Sequence, residues 1–384
     1  MSRWPLEVLG LITLAAVSVS AQPKPAEVGG YVKYLISRTD TRTEDPSLDQ
    51  LIHARLNTAW YPAESLTGNL ELRTRAFFGD AVQRTPGFAS QLGHDGGIGK
   101  LGVALWDRPR STGYAELDRC YLTWTPGRWQ ASIGRQRIAW GTNLVWNPTD
   151  LFNPYSVLDF DYEERPAVDA IRLQYYTGEV AKIECAVRPG GSATPAIAAA
   201  QWTFNEWQYD IHFLAGRVGG RWLAGTGWAG DILGGGFRGE LLISERADVP
   251  GWNPSSKYTA TAALSGDYTF PNSIYVHTEV LFNSEGVTGD AGAPRETTSA
   301  IGLLSPARWS LFLEIAGDVT PLLRADLFFI ANPNDRSLVA APSLTWSVVT
   351  DLDLTVIALL FNGSAGSEFG PGGSSLFLRA RWSF

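Results

Sequence analysis

The sequence predicts an all-β fold, a transmembrane antiparallel up-and-down β-barrel of about eighteen strands, with sixteen as the neighbouring count. Three observations predict it. Apolar and polar residues alternate with period two along segment after segment, which is strand and not helix spacing. Beyond the first twenty residues no stretch offers the roughly eighteen consecutive apolar residues of a spanning helix. The composition is that of strands and turns, with 40 Gly, 15 Trp, 13 Tyr and 17 Phe against a single Met. A mean hydropathy of −0.06 fits an apolar outside offset by a polar inside.

Taken in order, the chain opens with Arg3, an apolar run over residues 8–19 and a small-residue cleavage site, Val19-Ser20-Ala21. Residues 1–21 are therefore expected to be a signal peptide, leaving 22–384 for the barrel. Over residues 50–60, Ile52, Ala54, Leu56, Thr58 and Trp60 fall on one face, opposite His53, Arg55 and Asn57. After a turn at Tyr61-Pro62-Ala63-Glu64-Ser65, Leu70, Leu72, Thr74, Ala76 and Phe78 oppose Glu71, Arg73 and Arg75. An Arg or Lys facing the bilayer midplane costs about 2–4 kcal/mol, so these charges are expected to face water or one another. The same dyad recurs around Ile171–Arg172, Lys182–Glu184, Asp210–His212, Arg238–Glu240 and His277–Glu279. Aromatic residues gather beside turns, as in Trp124-Thr125-Pro126-Gly127-Arg128-Trp129, where a membrane-interface girdle belongs.

The last nine residues repeat the pattern in its clearest form: Leu376, Leu378, Ala380, Trp382 and Phe384 alternate with Phe377, Arg379, Arg381 and Ser383. An aromatic two residues before a terminal Phe resembles the C-terminal signal of bacterial outer-membrane barrels. The resemblance implies that Leu378, Ala380, Trp382 and Phe384 form the membrane-assembly signal read by the barrel-insertion machinery, and it implies the cell outer membrane as location.

Nineteen alternating segments can be drawn along the chain, whereas single-chain bacterial barrels use an even number. The surplus one is expected between Thr298 and Asn332: either residues 298–305 belong to an external loop, or Thr320-Pro321-Leu322-Leu323 opens a short helix. Short connections (176–179, 204–207, 270–273) alternate with long ones (79–111, 141–166, 246–256, 283–297). The short ones are expected at the periplasmic end.

The densest unusual stretch is Gly134-Arg135-Gln136-Arg137-Ile138-Ala139-Trp140-Gly141, followed by Trp146-Asn147-Pro148-Thr149-Asp150-Leu151-Phe152-Asn153-Pro154. With Trp129, Ala131 and Ile133 facing lipid, strict alternation would send Arg135 and Arg137 there too, so a bulge or an exit from the bilayer is expected near Gly134. A connection over 141–166 is long enough to fold into the lumen. This stretch resembles porin-like outer-membrane proteins that carry a Gly-Arg-Gln strand end, then Trp-Gly and an Asn-Pro loop. Its Gly-Arg-Gln portion is similar to alginate-export-type barrels, which show Tyr-Gly-Asp where this chain has Trp140-Gly141-Thr142. The resemblance implies a channel for passive diffusion of small hydrophilic solutes or ions. A barrel hydrolase and a non-conducting structural or adhesion barrel are the alternatives.

Constriction and lumen candidates are Arg135, Gln136, Arg137, Trp140, Asn147, Asp150 and Asn153, with Asp161, Glu163 and Glu164 as an opposing acidic wall. Glu71, Arg73, Arg75 and Arg172 complete the set. Guanidinium forks suit carboxylate or phosphate groups, and they also suit a loop pinned by salt bridges. Asn147, Asp150 and Asn153 fit turn and cap chemistry beside proline as well as solute contact. His53, His94, His212 and His277 lack metal-ligand spacing, Cys120 and Cys185 form no Cys-x-x-Cys pair, and no Gly-x-Ser-x-Gly elbow occurs. No catalytic residue, metal or cofactor is expected. Expected partners are outer-membrane lipid, the insertion machinery, a small hydrophilic solute and a homotrimeric copy. A net charge of −8 argues against nucleic acid.

Overall fold

The structure is a computed structural model that describes residues 25–42, 45–92, 98–153, 167–191, 194–246, 256–292 and 304–384. The expected signal peptide lies outside the described residues. In chain order the strands are β1 (Ala26–Asp40), β2 (Ser47–Ala63), β3 (Leu66–Gly79), β4 (Gly102–Arg108), β5 (Ser111–Trp124), β6 (Trp129–Gln136), β7 (Val168–Tyr176), β8 (Lys182–Arg188), β9 (Ile197–Glu206) and β10 (Tyr209–Val218). They continue as β11 (Arg221–Ile232), β12 (Gly235–Glu245), β13 (Tyr258–Thr269), β14 (Tyr275–Asn283), β15 (Trp309–Thr320), β16 (Leu323–Asn332), β17 (Ser337–Val349), β18 (Leu352–Asn362) and β19 (Ser374–Ser383). Two short helices, α1 (Asp80–Arg84) and α2 (Phe88–Gln91), follow β3.

Each strand pairs antiparallel with the next stave of the wall, and β1 closes on β19 from Tyr31↔Ser383 to Asp40↔Ser374. Closure leaves no sheet edge around the wall, the condition for strands to span hydrocarbon. Eighteen strands form this wall. The exception is β4, which pairs with β5 alone while β3 passes it to pair directly with β5. The 79–111 connection, expected as a loop, therefore carries a strand of its own outside the wall, while most of the 298–305 segment, expected either as loop or as a surplus strand, lies outside the described residues. Beyond it, β15 and β16 are both full staves joined by a turn at Pro321 and Leu322, so the expected helix is not formed. Hairpin pairing wins because Asp318 and Thr320 bulge and let Leu323 close the ladder.

Sorting of the two faces follows the sequence period and inverts the rule of soluble proteins. On β2, His53 and Arg55 are 0% and 2% exposed, whereas Leu56 and Trp60 on the outside are 37% and 51% exposed. Such an outer surface is stable only against acyl chains. Leu378 and Trp382 on β19 and Phe384 just after it are exposed, and Arg381 on the other face stacks over the Tyr31 ring at 4.7 Å. The chain end is fastened by paired backbone bonds between Gly30 and Phe384, 2.9 and 3.0 Å long. Exposed Trp124, Trp129, Trp202 and Trp207 mark the short-turn end, where Trp129 packs on Tyr175 at 4.6 Å. The start of β1 and the end of β19 share that end. The alternation of loop lengths is not strict: β10 and β11 are joined at the opposite end by Gly219 and Gly220 alone, both with positive φ as a two-residue hairpin requires.

Alternation also holds through β6: of the two expectations for Gly134, a bulge or an exit, the bulge is not formed, and the strand ends just beyond, at Gln136. Strand pairing places Arg135 beside Cys120 and Leu70, on the outer face. What spares it from lipid is residues 98–101, which run over the tops of β6 and β7 on the way to β4. Gly134 itself has φ 120°, and a Cβ there would lie 2.3 Å from the Cys120 carbonyl oxygen. Only glycine lets β6 lie this close to β5.

Candidate functional site

From the top of β6 the chain turns inward, and residues 137–153 run along the inner wall from β7 to β14. Two apolar clusters seat the loop. Ile138, Trp140 and Phe152, at most 3% exposed, pack with Val168, Ala186 and Leu214 on one side. Val145 and Trp146 pack with Leu281, Phe312 and Ile330 on the other. Burying side chains of this size contributes about 1.5–3 kcal/mol each.

A loop buried in this way leaves backbone N–H groups without a sheet partner, and they need acceptors. Two buried glutamates from the far wall supply them. Glu240 on β12, 1% exposed, accepts from Thr142 N–H (2.6 Å), Asn143 N–H (2.9 Å) and Thr149 N–H (2.8 Å), and from the hydroxyls of Thr142 (3.2 Å) and Thr149 (2.7 Å). Glu279 on β14 accepts from Val145 N–H (3.1 Å) and Trp146 N–H (2.7 Å) at the tip. A third carboxylate, Glu184 on β8, takes the Trp140 indole N–H at 2.6 Å together with a two-pronged Arg172 contact at 2.6 and 2.9 Å. Ser265 on β13 donates to Asn143 Oδ1 at 2.9 Å.

The inner wall facing the loop, formed by β19, β1, β2, β3 and β5, is rich in cations. Arg55 pairs with Glu71 and, at 2.5 Å, with Asp118. Arg73 and Arg75 share Glu116 at 2.6 and 3.0 Å. Lys33 and Arg381 both lie over the Tyr31 ring. Charge-assisted bonds hold these side chains in fixed geometry, and Lys33, Arg55, Arg73, Arg75, Arg379 and Arg381 form a ladder along this wall.

The residues singled out from sequence fall into several environments. Arg135 forms a two-pronged ion pair with Asp169 at 2.8 and 3.1 Å and donates to Gly99 O at 2.8 Å, while Ile98 N–H donates to Asp169 at 2.6 Å. It ties the 98–101 segment to β7 on the outer side, away from the ladder. Arg137 is exposed. Gln136 is buried and donates to Ala170 O at 3.0 Å. Asn153 Oδ1 accepts from Ile138 N–H at 2.9 Å, closing the base of the loop. Asn147 packs so closely on Gly141 that a Cβ there would stand 2.1 Å from its Oδ1, and its carbonyl accepts from Asp150 N–H. Asp150 is buried within the same turn. Glu71, Arg73, Arg75 and Arg172 all face inward. Asp161, Glu163 and Glu164 lie outside the described residues, as does His94. His53 stands edge-on to Tyr31, His212 lies against Gly227, and His277 sits between two carboxylates.

Solved barrels share this architecture. OccAB2 of Acinetobacter baumannii superposes with a TM-score of 0.61 at 11% identity, over 94% of this chain and 98% of that one. OccAB3 of the same organism gives 0.59 at 9% identity, over 94% and 99%. OccK5 (OpdH) of Pseudomonas aeruginosa gives 0.58 at 8% identity, over 94% and 98%. The chain has the fold of these barrels, a closed antiparallel wall of eighteen strands. No family model matches it, and no curated protein matches it.

In a porin fold of sixteen to eighteen strands the wall alone leaves an aqueous channel, so the inward loop sets how much of the bore remains. The residues that fix its path here are Glu184, Glu240 and Glu279. Alternation put all three on the inner face, but nothing in the sequence distinguished a dry carboxylate facing backbone N–H groups from an ordinary wetted one.

Proposed function

We propose that this protein is a passive outer-membrane channel for small hydrophilic solutes or ions, with residues 137–153 as its constriction. The observation that carries the reading is the loop itself: it is clasped inside a closed barrel by Glu240 and Glu279 and stands across from the wall that bears Lys33, Arg55, Arg73, Arg75, Arg379 and Arg381. Solute passes between loop and ladder, and the ladder's cations favour anionic groups in transit. Export by a cleaved signal peptide, insertion guided by residues 378–384 and assembly as a homotrimer belong to the same proposal.

Purified protein refolded into planar bilayers tests this directly. Stepwise ion conductance is expected, with reversal potentials under a salt gradient that favour anions. A folded, heat-modifiable barrel that passes no current would instead be a structural one.

A further inference from the structure

Glu240 and Glu279 hold one loop with unequal means. Glu240 gathers five donors, whereas Glu279 has two and shares its surroundings with another carboxylate, Glu314 on β15. Between those two acids lies His277, 1% exposed, with Nε2 3.6 Å from Glu279 and Nδ1 3.5 Å from Glu314. Its ring stands 5.2 Å from Phe312, which in turn meets Trp146 of the loop edge-on at 6.4 Å. The other polar groups around it are Tyr275 on its own strand and Asp267 opposite on β13, the latter paired with Arg238. Behind Glu314 stand Asp326 and Arg324 on β16.

With a neutral imidazole, Glu279 and Glu314 flank the ring, Asp326 is bonded to Glu314 behind, and among the described residues no cation is in contact with Glu279. Buried charge of one sign without compensation is expensive, and the group that yields most easily is the one holding only two loop amides. With an imidazolium, one positive charge bridges both acids, and Glu279 stays in place as acceptor for Val145 and Trp146.

We propose that His277 is a positioning residue of the constriction: carrying its proton, it neutralises the Glu279–Glu314 pair and keeps the tip of the inward loop seated on β14. This builds on residues 137–153 as the constriction. The tip is seated while His277 is charged and released as rising pH removes the proton. The stem stays clasped by Glu240 throughout.

The test reads the position of the tip, whether or not ions pass. Leu144 at the tip and Leu233 in the turn before β12 are 45% and 95% exposed. Leu144→Cys and Leu233→Cys, in a background of Cys120→Ser and Cys185→Ser, take a pair of nitroxide labels. Pulsed electron–electron resonance in detergent micelles then follows their separation from neutral to alkaline pH. One narrow separation is expected at neutral pH, broadening as pH rises. His277→Gln is expected to be broad throughout, and His277→Lys narrow throughout. Glu314→Gln removes one of the acids that favour the charged imidazole and is expected to lower the transition by about one pH unit or more. A wild-type separation indifferent to pH and unchanged in His277→Gln overturns the proposal. If His277→Gln does not fold, an unmoved transition in Glu314→Gln overturns it. Absence of conductance would remove the channel reading and leave this result standing.

Discussion

Replacing Glu240 with Gln keeps the shape of the side chain and turns one accepting oxygen into a donating amide. In the structure one carboxylate oxygen serves Thr142 and Asn143 and the other serves Thr149, so whichever oxygen is replaced, at least one backbone N–H loses its acceptor, while the Thr149 hydroxyl keeps the Trp140 carbonyl at 3.4 Å. Thr149 is 0% exposed, so its N–H has no solvent to turn to. One stranded donor at about 1–3 kcal/mol shifts the seated loop toward the unseated state by about 5-fold to more than 100-fold. The wall ladder is untouched, so the barrel still folds and still resists detergent until heated. In single-channel recordings Glu240→Gln is therefore expected to show larger and noisier open currents than wild type. Recordings indistinguishable from wild type would refute the idea that this carboxylate fixes the bore.

Three further outcomes follow from the same geometry. Arg73→Gln together with Arg75→Gln removes two cations from the wall and is expected to move the reversal potential under a KCl gradient toward cation preference; an unmoved potential would place the ladder off the permeation path. Arg135→Ala strands Asp169 under the 98–101 segment, and breaking a buried pair typically costs about 3–5 kcal/mol, so a lower urea midpoint is expected with selectivity unchanged. Gly134→Val sets a β-branched side chain against the Cys120 carbonyl and is expected to abolish the heat-modifiable folded band in gel electrophoresis, whereas Gly68→Ala, with its nearest neighbour at 3.2 Å, is expected to retain it.

The wall was legible because its cause is local. A strand that touches lipid on one side and water on the other must alternate residue by residue, and His53, Arg55, Arg73, Arg379 and Arg381 sit where that period puts them. The path of the loop was not legible, because its cause is distant: Glu240 lies 91 residues from Thr149, and Glu279 lies 134 from Val145. Arg135 shows the limit of a correct local rule. Alternation assigns it to the outside, where an arginine looked untenable, yet β4 and the segment before it supply the shelter. Gly102 to Arg108 lacks clean alternation because its neighbour is β5 alone and both its faces are largely exposed. For the same reason the 79–111 connection reads as loop throughout.

The clasp across the lumen also orders events in time. The inward loop is translated between β6 and β7, and its stem can settle early on the apolar cluster and on Glu184 of β8, but the carboxylates that receive residues 142–149 arrive only with β12 and β14. Until those later hairpins are in place the far reach of the loop has nowhere to dock, so a half-assembled barrel is wide and unguarded. The aperture is finished late, by the second half of the chain reaching back to the first.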